Sequence, residues 1–147
     1  FGERSVQARP GMRIPGIPEN VFRLLVDWTP QDALKIGVTF IATSDLVTQG
    51  NEDGLIGGDD DVIARDASVN GYQLVNLRLR YEKSRSLRLF AKVTNLFDER
   101  YETYGAMAES VFTSAGEFVD AEQGPTLSRF VAPGAPRAAF VGLSYKF

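Results

Sequence analysis

The sequence contains no cysteine and no histidine among its 147 residues, and it has a single tryptophan. Without cysteine no disulfide can form, and without either residue type the usual zinc ligand sets are missing. Nucleophilic catalysis of the Cys–His or Ser–His–Asp kind is excluded too, because Ser128 and Ser144 have no histidine to activate them. We therefore expect no enzyme activity, no metal site and no cofactor.

The chain also has no long apolar run and no excess of basic charge. Without a run of about 18 apolar residues a transmembrane helix is excluded, whereas a transmembrane β-strand needs only about ten alternating residues. The 16 basic and 19 acidic residues give a net charge of −3, which argues against binding to nucleic acid. The sequence begins at Phe1 rather than at Met. We therefore expect a processed protein or a piece of a longer one.

Negative charge is concentrated in two long stretches that also contain many glycines. Residues 44–70 carry seven acidic residues and one basic residue, and residues 98–135 are acidic and glycine-containing as well. Such a composition predicts exposed loops rather than core elements. Within the second stretch, Ala106 to Phe112 could form one or two helical turns.

Five runs of alternating apolar and polar residues lie between these stretches. They span residues 20–28, 33–43, 71–82, 86–96 and 137–147. Because successive side chains of a strand point to opposite faces, each run predicts a β-strand with one apolar and one mixed or polar face. A helix would scatter the same apolar residues around its circumference.

The connections between the runs are alternately short and long. Thr29–Asp32 and Lys83–Arg85 predict tight turns, whereas the other two connections are the acidic stretches. Short turns at one end and long loops at the other are typical of an outer-membrane barrel. Runs of about ten residues, tilted about 45°, are long enough to cross its ~25 Å apolar band.

Aromatic residues fall near both ends of the predicted strands, as the two interfaces of a bilayer favour. One rim contains Trp28, Tyr81, Tyr145 and Phe147, and the other contains Phe22, Phe40, Tyr72 and Phe97. The charges of the strands lie on the polar faces, at Arg23, Asp27, Lys35, Arg78, Arg80, Arg88, Lys92 and Lys146. The fold class predicted is all-β, with antiparallel up-and-down strands from a transmembrane β-barrel and two long acidic loops. The alternative is a soluble antiparallel sheet with one wet face.

Two segments resemble the end of TonB-dependent outer-membrane receptors. In that family a Gly-Tyr strand is followed by a strand that runs into Asn-Leu-Phe-Asp and then Tyr. Here these residues are Gly71 and Tyr72, followed by Asn95, Leu96, Phe97, Asp98 and Tyr101. Residues 133–147, which end in Phe147, look like the closing strand of the same barrel.

The resemblance implies a barrel of about 22 strands, plugged by an amino-terminal domain, in the Gram-negative outer membrane. Such receptors import a scarce ligand, such as a ferric siderophore, cobalamin or a saccharide, driven by TonB. With about five strands and no plug, residues 1–147 are interpreted as a carboxy-terminal barrel segment that cannot transport alone. Its carboxy terminus would be periplasmic and its long loops extracellular. Two other functions stay open: a soluble β-sheet binding module and part of a plain porin.

The resemblance also implies partners for the segment. These are outer-membrane lipid, the barrel-assembly machinery, TonB through the missing plug, and an imported ligand that the sequence does not identify. Because the segment has two open edges and a lipid-facing stripe, we expect it to self-associate without detergent.

Several residues are candidates for function. Val141, Leu143, Tyr145 and Phe147 resemble the terminal signal read by the assembly machinery, and Asn95, Leu96, Phe97 and Asp98 predict a structural turn at a strand end. Arg78, Arg80, Arg88 and Lys92 would attract an anionic ligand or pair with acids. Tyr101, Tyr104 and Phe112 would stack on a ligand or pack within the loop. Asp59, Asp60 and Asp61 would bind Ca²⁺ or, as the spacing favours, form a solvated charge run.

Overall fold

The computed structural model describes residues 10–50, 67–113, 115–119 and 124–147, and all regular structure in this part is β. Across these residues, no helix is long and apolar enough to cross a membrane. The strands are β1 (Val21–Gln31), β2 (Leu34–Thr43), β3 (Leu46–Val47), β4 (Ser68–Val69), β5 (Tyr72–Glu82), β6 (Leu87–Thr94), β7 (Glu102–Ser110), β8 (Thr126–Pro133) and β9 (Ala138–Tyr145). The predicted all-β fold class is confirmed.

The chain forms two compact units. The sheet unit comprises Asn20–Ser44, Tyr72–Tyr101 and Gly134–Phe147, and the connector unit comprises Phe1–Glu19, Asp45–Gly71 and Glu102–Pro133. The two acidic stretches of the sequence therefore contribute most of the connector unit, and the five alternating runs contribute the sheet unit.

The sheet unit is one antiparallel sheet with the strand order β1-β2-β5-β6-β9. Each strand pairs with the one that precedes it within the unit, as in an up-and-down meander. The five strands predicted from alternation are all present, with ends shifted by at most three residues. Within the described residues β1 and β9 are each paired on one side only, so the sheet is open.

Of the two short turns, the one between β5 and β6 agrees with the prediction and the one between β1 and β2 does not. The β5–β6 turn is as short as expected, and the amide of Ser84 donates to the carbonyl of Leu87. The predicted Thr29–Asp32 turn is misplaced, because β1 continues to Gln31 and the chain turns at Asp32 and Ala33. The register shifts between Trp28 and Gln31, which accommodates Pro30. A proline has no amide hydrogen, so an irregular end of an edge strand is where a sheet tolerates it.

The long connections are more structured than their composition predicts. The middle of 98–135 is not irregular, because β7 and β8 pair antiparallel from Glu102↔Pro133 to Ser110↔Thr126. The predicted helical turns at Ala106–Phe112 are wrong, since most of this segment lies in β7. The stretch 44–70 contributes the short pair β3–β4. In these segments, pairing with residues far along the chain determines the structure, and the local strand propensity does not.

A small core holds the connector unit together. Thr48 and Val69 are fully buried, and the Thr48 hydroxyl donates to the carbonyl of Ala67 at 2.9 Å. A Cβ at Gly105 would lie 2.6 Å from Cγ2 of Val69, so only glycine allows this approach. At the surface of the unit, the Arg13 guanidinium donates a hydrogen bond to the Asp45 carboxylate and holds the pKa of that carboxyl below its usual range. These contacts and the β7–β8 pair hold the described part of the unit together.

Candidate functional site

One face of the five-stranded sheet is apolar from edge to edge. The register brings Val26, Val38, Leu77, Val93 and Ala139 into a single row across all five strands. We call this surface the apolar face; its members are Phe22, Leu24, Val26, Trp28, Leu34, Ile36, Val38, Phe40, Val75, Leu77, Leu79, Tyr81, Leu87, Leu89, Ala91, Val93, Ala139, Val141, Leu143 and Tyr145. Many of these side chains are strongly exposed; Val141, for example, is 85% exposed. An apolar surface of this extent is a site of interaction rather than an ordinary protein surface.

The aromatic residues of the apolar face lie toward its two ends. Phe22 and Phe40 are near one end, with ring centroids 6.1 Å apart. Trp28, Tyr81 and Tyr145 lie toward the other end, where β1 and β5 turn into the next strands. The positions of these aromatics in the sheet are those expected from the sequence.

The opposite surface, the polar face, carries charge and is tied together across strands. Arg78 on β5 pairs with Asp27 on β1 at 2.7 Å, although β2 lies between their strands. The residue of β2 in the same row is Gly37. A Cβ added at this position would lie only 2.7 Å from the Asp27 carboxylate oxygen. Gly37 therefore leaves the space in which the ion pair forms, a role that alternation alone does not reveal.

A second ion-pair group lies where β5 ends. Glu82 contacts Arg80 at 3.4 Å and Arg88 at 3.3 Å. The four cations predicted to attract an anion or pair with acids thus lie on the neighbouring strands β5 and β6. Three of them, Arg78, Arg80 and Arg88, form ion pairs with acids of the sheet itself. Lys92 has no ion pair in the part of the chain that the structure describes. Because six cations and two acids lie on the strands of this face, its net charge is positive: Arg23, Lys35, Arg78, Arg80, Arg88 and Lys92 against Asp27 and Glu82.

The Asn-Leu-Phe-Asp segment forms a tight turn directly after β6. The amide of Asp98 donates to the carbonyl of Asn95 at 2.9 Å, and both residues have positive φ, 50° and 57°. Asn and Asp tolerate this left-handed conformation better than other residues that have a side chain. The amide of Leu96 donates to the carbonyl of Val75 at 2.8 Å, which fastens the turn to β5.

The side chain of Asn95 links this turn to the chain on both sides. It is only 3% exposed, and its Nδ2 donates to the carbonyls of Glu99 at 2.9 Å and Ala135 at 3.1 Å. Its Oδ1 accepts a hydrogen bond from the backbone amide of Glu99 at 2.8 Å. The backbone amide of Asn95 donates to Oδ1 of Asn76 at 2.9 Å. Asn76 is a partner that the sequence motif does not reveal, since it lies 19 residues earlier.

Asp98 and Tyr101 hold the segment that leads into β9. The Asp98 carboxylate accepts the amide of Arg137 at 3.0 Å, and the carbonyl of Tyr101 accepts the amide of Gly134 at 2.7 Å. The Tyr101 ring lies over Gly134, where a Cβ would clash at 2.2 Å, and its centroid is 4.4 Å from that of Tyr72. Phe97, by contrast, is 74% exposed.

The last strand presents the four residues predicted as an assembly signal. Val141, Leu143 and Tyr145 lie on the apolar face of β9, and Phe147 follows the strand with a fully exposed side chain. The Tyr145 and Phe147 rings meet edge to face at 5.2 Å. Because β9 pairs with β6 alone in the described residues, this aromatic end belongs to an edge strand.

The remaining candidates lie in the connector unit or outside the described residues. The Tyr104 hydroxyl is hydrogen-bonded to the Gln49 side chain, and Phe112 packs on Phe118 with ring centroids 4.7 Å apart. The three aspartates predicted as a calcium site or charge run, 59–61, fall outside the described residues. Among the residues that are described, no group of three acidic, histidine or cysteine residues could hold a metal ion.

Comparison with protein families identifies the architecture. Residues 3–96 match the family described as TonB dependent receptor-like, beta-barrel. The chain belongs to the TonB-dependent receptor family. This match confirms the resemblance seen in the sequence. Proteins of this family reside in the outer membrane. No curated protein sequence matches the chain significantly.

Solved TonB-dependent receptors show the same fold. The siderophore receptor PiuA from Acinetobacter baumannii matches with a TM-score of 0.61 at 16% identity, over 90% of this chain and 14% of that one. The open form of the ferric-catecholate import receptor Fiu from E. coli K12 matches with a TM-score of 0.57 at 20% identity, over 87% of this chain and 15% of that one.

A third match is a mutant of the ferric enterobactin receptor PfeA from Pseudomonas aeruginosa in complex with enterobactin. Its TM-score is 0.56 at 19% identity, over 88% of this chain and 17% of that one. The chain therefore spans about one sixth or less of the length of these receptors. At this identity the match establishes the barrel fold of the chain.

Proposed function

We propose that residues 1–147 are the carboxy-terminal barrel segment of an outer-membrane receptor for TonB-energised uptake of a scarce ligand. The observation that carries this proposal is the apolar face, which continues across five strands while the opposite face is charged. A sheet with one dry and one wet surface suits the wall of a water-filled barrel in lipid. The alternatives, a soluble binding sheet and a porin wall, are outcomes of the tests below.

The proposal assigns an environment to each surface. The apolar face contacts lipid, and the aromatic residues at its two ends lie at the two membrane interfaces. The polar face lines the hydrated lumen, where the Asp27–Arg78 pair and Lys92, which has no ion pair among the described residues, are not costly. The short turns and the carboxy terminus are then periplasmic, and the connector unit is extracellular. Alone, the segment would be unable to transport.

Single-cysteine labelling tests the lipid-facing surface, since the natural chain has no cysteine. Val26 and Leu25 are consecutive in β1, are exposed to similar extents, 48% and 54%, and point to opposite faces. Once the labelled receptor is inserted into lipid vesicles, we expect the fluorescence of a dye attached at Val26→Cys to be quenched by quenchers linked to the lipid. The same dye at Leu25→Cys should be quenched by aqueous iodide instead.

The Leu25→Cys variant is the matched control, because it differs from Val26→Cys only in the face labelled. Equal iodide quenching at both positions would contradict the proposal and favour a soluble sheet. Labels at Val141→Cys and at Phe140→Cys repeat the comparison on β9, which is the opposite edge of the sheet.

For the ligand, we infer a ferric siderophore. The support is the function named for the structural neighbours, which are siderophore and ferric-catecholate receptors. We expect cells that express the receptor to accumulate radiolabelled iron from a siderophore, and to lose this uptake when TonB is deleted. Uptake that persists without TonB would indicate a porin, and absence of uptake for every iron chelate would overturn the ligand assignment.

We also propose that Val141, Leu143, Tyr145 and Phe147 act as the signal for the barrel-assembly machinery. An exposed edge strand can pair with the edge of another sheet, and its alternate side chains then fill pockets that provide specificity. The same open edges and the apolar face should make the isolated segment self-associate in the absence of detergent. The turn at Asn95, Leu96, Phe97 and Asp98, with Tyr101 behind it, acts in this proposal as a structural clamp rather than as a ligand contact.

A further inference from the structure

A polar cleft lies at the end of the sheet where β5 turns into β6 and where β9 ends. Its walls are the turn residues Ser84, Arg85 and Ser86 on one side and Ser144 and Lys146 on the other. The cleft measures about 180 Å³, whereas one water occupies about 30 Å³ in the liquid. It therefore has room for a small tetrahedral anion together with water.

Backbone hydrogen bonds fix both walls of the cleft. The Ser84 hydroxyl oxygen accepts the amides of Ser86 at 3.3 Å and Leu87 at 3.0 Å, which closes the turn. The amide of Lys146 donates to the carbonyl of Ser86 at 2.9 Å, which joins the end of β9 to the turn. The backbone that forms the two walls of the cleft is thus ordered before any ligand is bound.

The cleft carries an excess of positive charge. Arg85, Arg88 and Lys146 line it with one acid, Glu82, which is engaged by Arg88 and by Arg80 outside the cleft. Arg85 and Lys146 form no ion pair with an acid in the described part of the chain. The side chains that line the cleft therefore have a net charge of about two positive units.

The donors in the cleft match a phosphate group. The lining contains the hydroxyl groups of Ser84, Ser86 and Ser144 together with the cations Arg85 and Lys146. Ser84 can still donate its hydroxyl hydrogen, because only its oxygen is engaged, as an acceptor. A phosphate monoester has up to two negative charges and three acceptor oxygens, whereas a carboxylate has one charge and two oxygens. We propose that this cleft binds a phosphate group, a role beyond the transport function proposed above.

Two sources could present that group at this position. The cleft opens at the end of the sheet that carries Tyr81, Tyr145 and Phe147, which in the proposed orientation is the level of the lipid headgroups. Because Arg88 and Ser144 of the lining belong to the polar face, a soluble phosphate would enter from the periplasm, whereas a lipid would bring its phosphate around the rim formed by the strand ends. The lipid that shares this chemistry is phosphatidic acid, whose phosphate is a monoester, and the experiment below separates it from a soluble phosphate.

The first arm measures inorganic phosphate binding to the full chain in maltoside detergent by titration calorimetry. We expect Arg85→Gln to raise the Kd about tenfold, the effect of losing one charge-assisted hydrogen bond. Lys83→Gln is the matched control, because Lys83 is an exposed cation two residues away that does not line the cleft. Circular dichroism of both variants checks that the sheet is retained.

The second arm measures, by native mass spectrometry, how much phosphatidic acid and how much diacylglycerol the chain retains. Retention of phosphatidic acid alone, lost in Arg85→Gln, supports the proposal with lipid as the source. Phosphate binding that Arg85→Gln weakens and Lys83→Gln does not, without such retention, supports it with a soluble source. The absence of both effects overturns the proposal, and so does an equal loss of binding in Lys83→Gln and Arg85→Gln.

Discussion

The Asn95→Asp variant is expected to unfold at markedly lower urea concentration than the unaltered chain, with a loss of about 2–4 kcal/mol in the free energy of unfolding. In this variant a carboxylate oxygen replaces the Nδ2 group that donates to the carbonyls of Glu99 and Ala135. Two attractive contacts become repulsive in a site that is 3% exposed. The single tryptophan, Trp28, reports unfolding of the sheet by fluorescence in detergent.

Two further variants separate the causes of this loss. Asn95→Gly removes the side-chain hydrogen bonds but tolerates the positive φ, so we expect a smaller loss, about 1–3 kcal/mol. Asn20→Asp adds the same charge at an exposed asparagine and should change the free energy by less than about 0.5 kcal/mol. If Asn95→Asp unfolds at the same urea concentration as Asn20→Asp, the turn does not clamp the sheet.

The Phe147→Ser variant is expected to reduce insertion of the receptor into the outer membrane by about tenfold or more. Phe147 is fully exposed at the end of an edge strand, so its ring is available to a partner. Burying a phenylalanine side chain contributes about 1.5–3 kcal/mol, which corresponds to one or two powers of ten in a binding constant. The heat-modifiable, folded fraction of the receptor in outer-membrane preparations measures the effect.

Phe97→Ser is the matched control for this experiment. It removes another strongly exposed aromatic side chain, 74% exposed, near the opposite end of the sheet. We expect insertion of this variant to remain within about twofold of the unaltered receptor. If both substitutions reduce insertion equally, Phe147 acts as one more interfacial aromatic, and the assembly signal lies elsewhere.

The five strands of the sheet could be predicted because alternation is a local property of the sequence. Residues 75–80, for example, alternate between Leu or Val and polar residues, and a period of two allows only a strand with two unlike faces. The short β5–β6 turn was equally accessible, since three polar residues separate two such runs. The β1–β2 turn was misplaced because Pro30 is usually a turn residue, whereas here a register shift at the sheet edge accommodates it.

The connector strands could not be predicted, because their stability comes from distant partners. β7 contains Gly105, Ala106 and Ala108, which have little strand propensity, and it forms where Leu127, Arg129 and Val131 of β8 pair with it. Gly105 matters because Val69 and Thr48 approach its backbone, and these residues lie more than 30 positions away. The acidic composition predicted exposed loops, whereas Thr48 and Val69 in the described part of residues 44–70 are buried, and composition gave no information on pairing.

The candidate sites divide in the same way. The Asn-Leu-Phe-Asp segment was recognisable as a strand end, yet its contacts with Asn76 and Ala135 depend on strands brought together by the fold. The Asp27–Arg78 pair spans 51 positions and crosses β2 above Gly37, so it depends on the strand order. The cleft between the β5–β6 turn and the end of β9 depends on the same order.

The sequence by itself determined that this protein is a β-sheet with one apolar and one charged face, without cysteine or histidine chemistry. These are properties of side-chain period and composition, which need no knowledge of contacts. The tertiary structure decided the register of the strands, the pairing of the connector segments, and which charges meet. Such contacts arise between residues far apart in the chain, and their free energy appears only when backbone hydrogen bonding has aligned the strands.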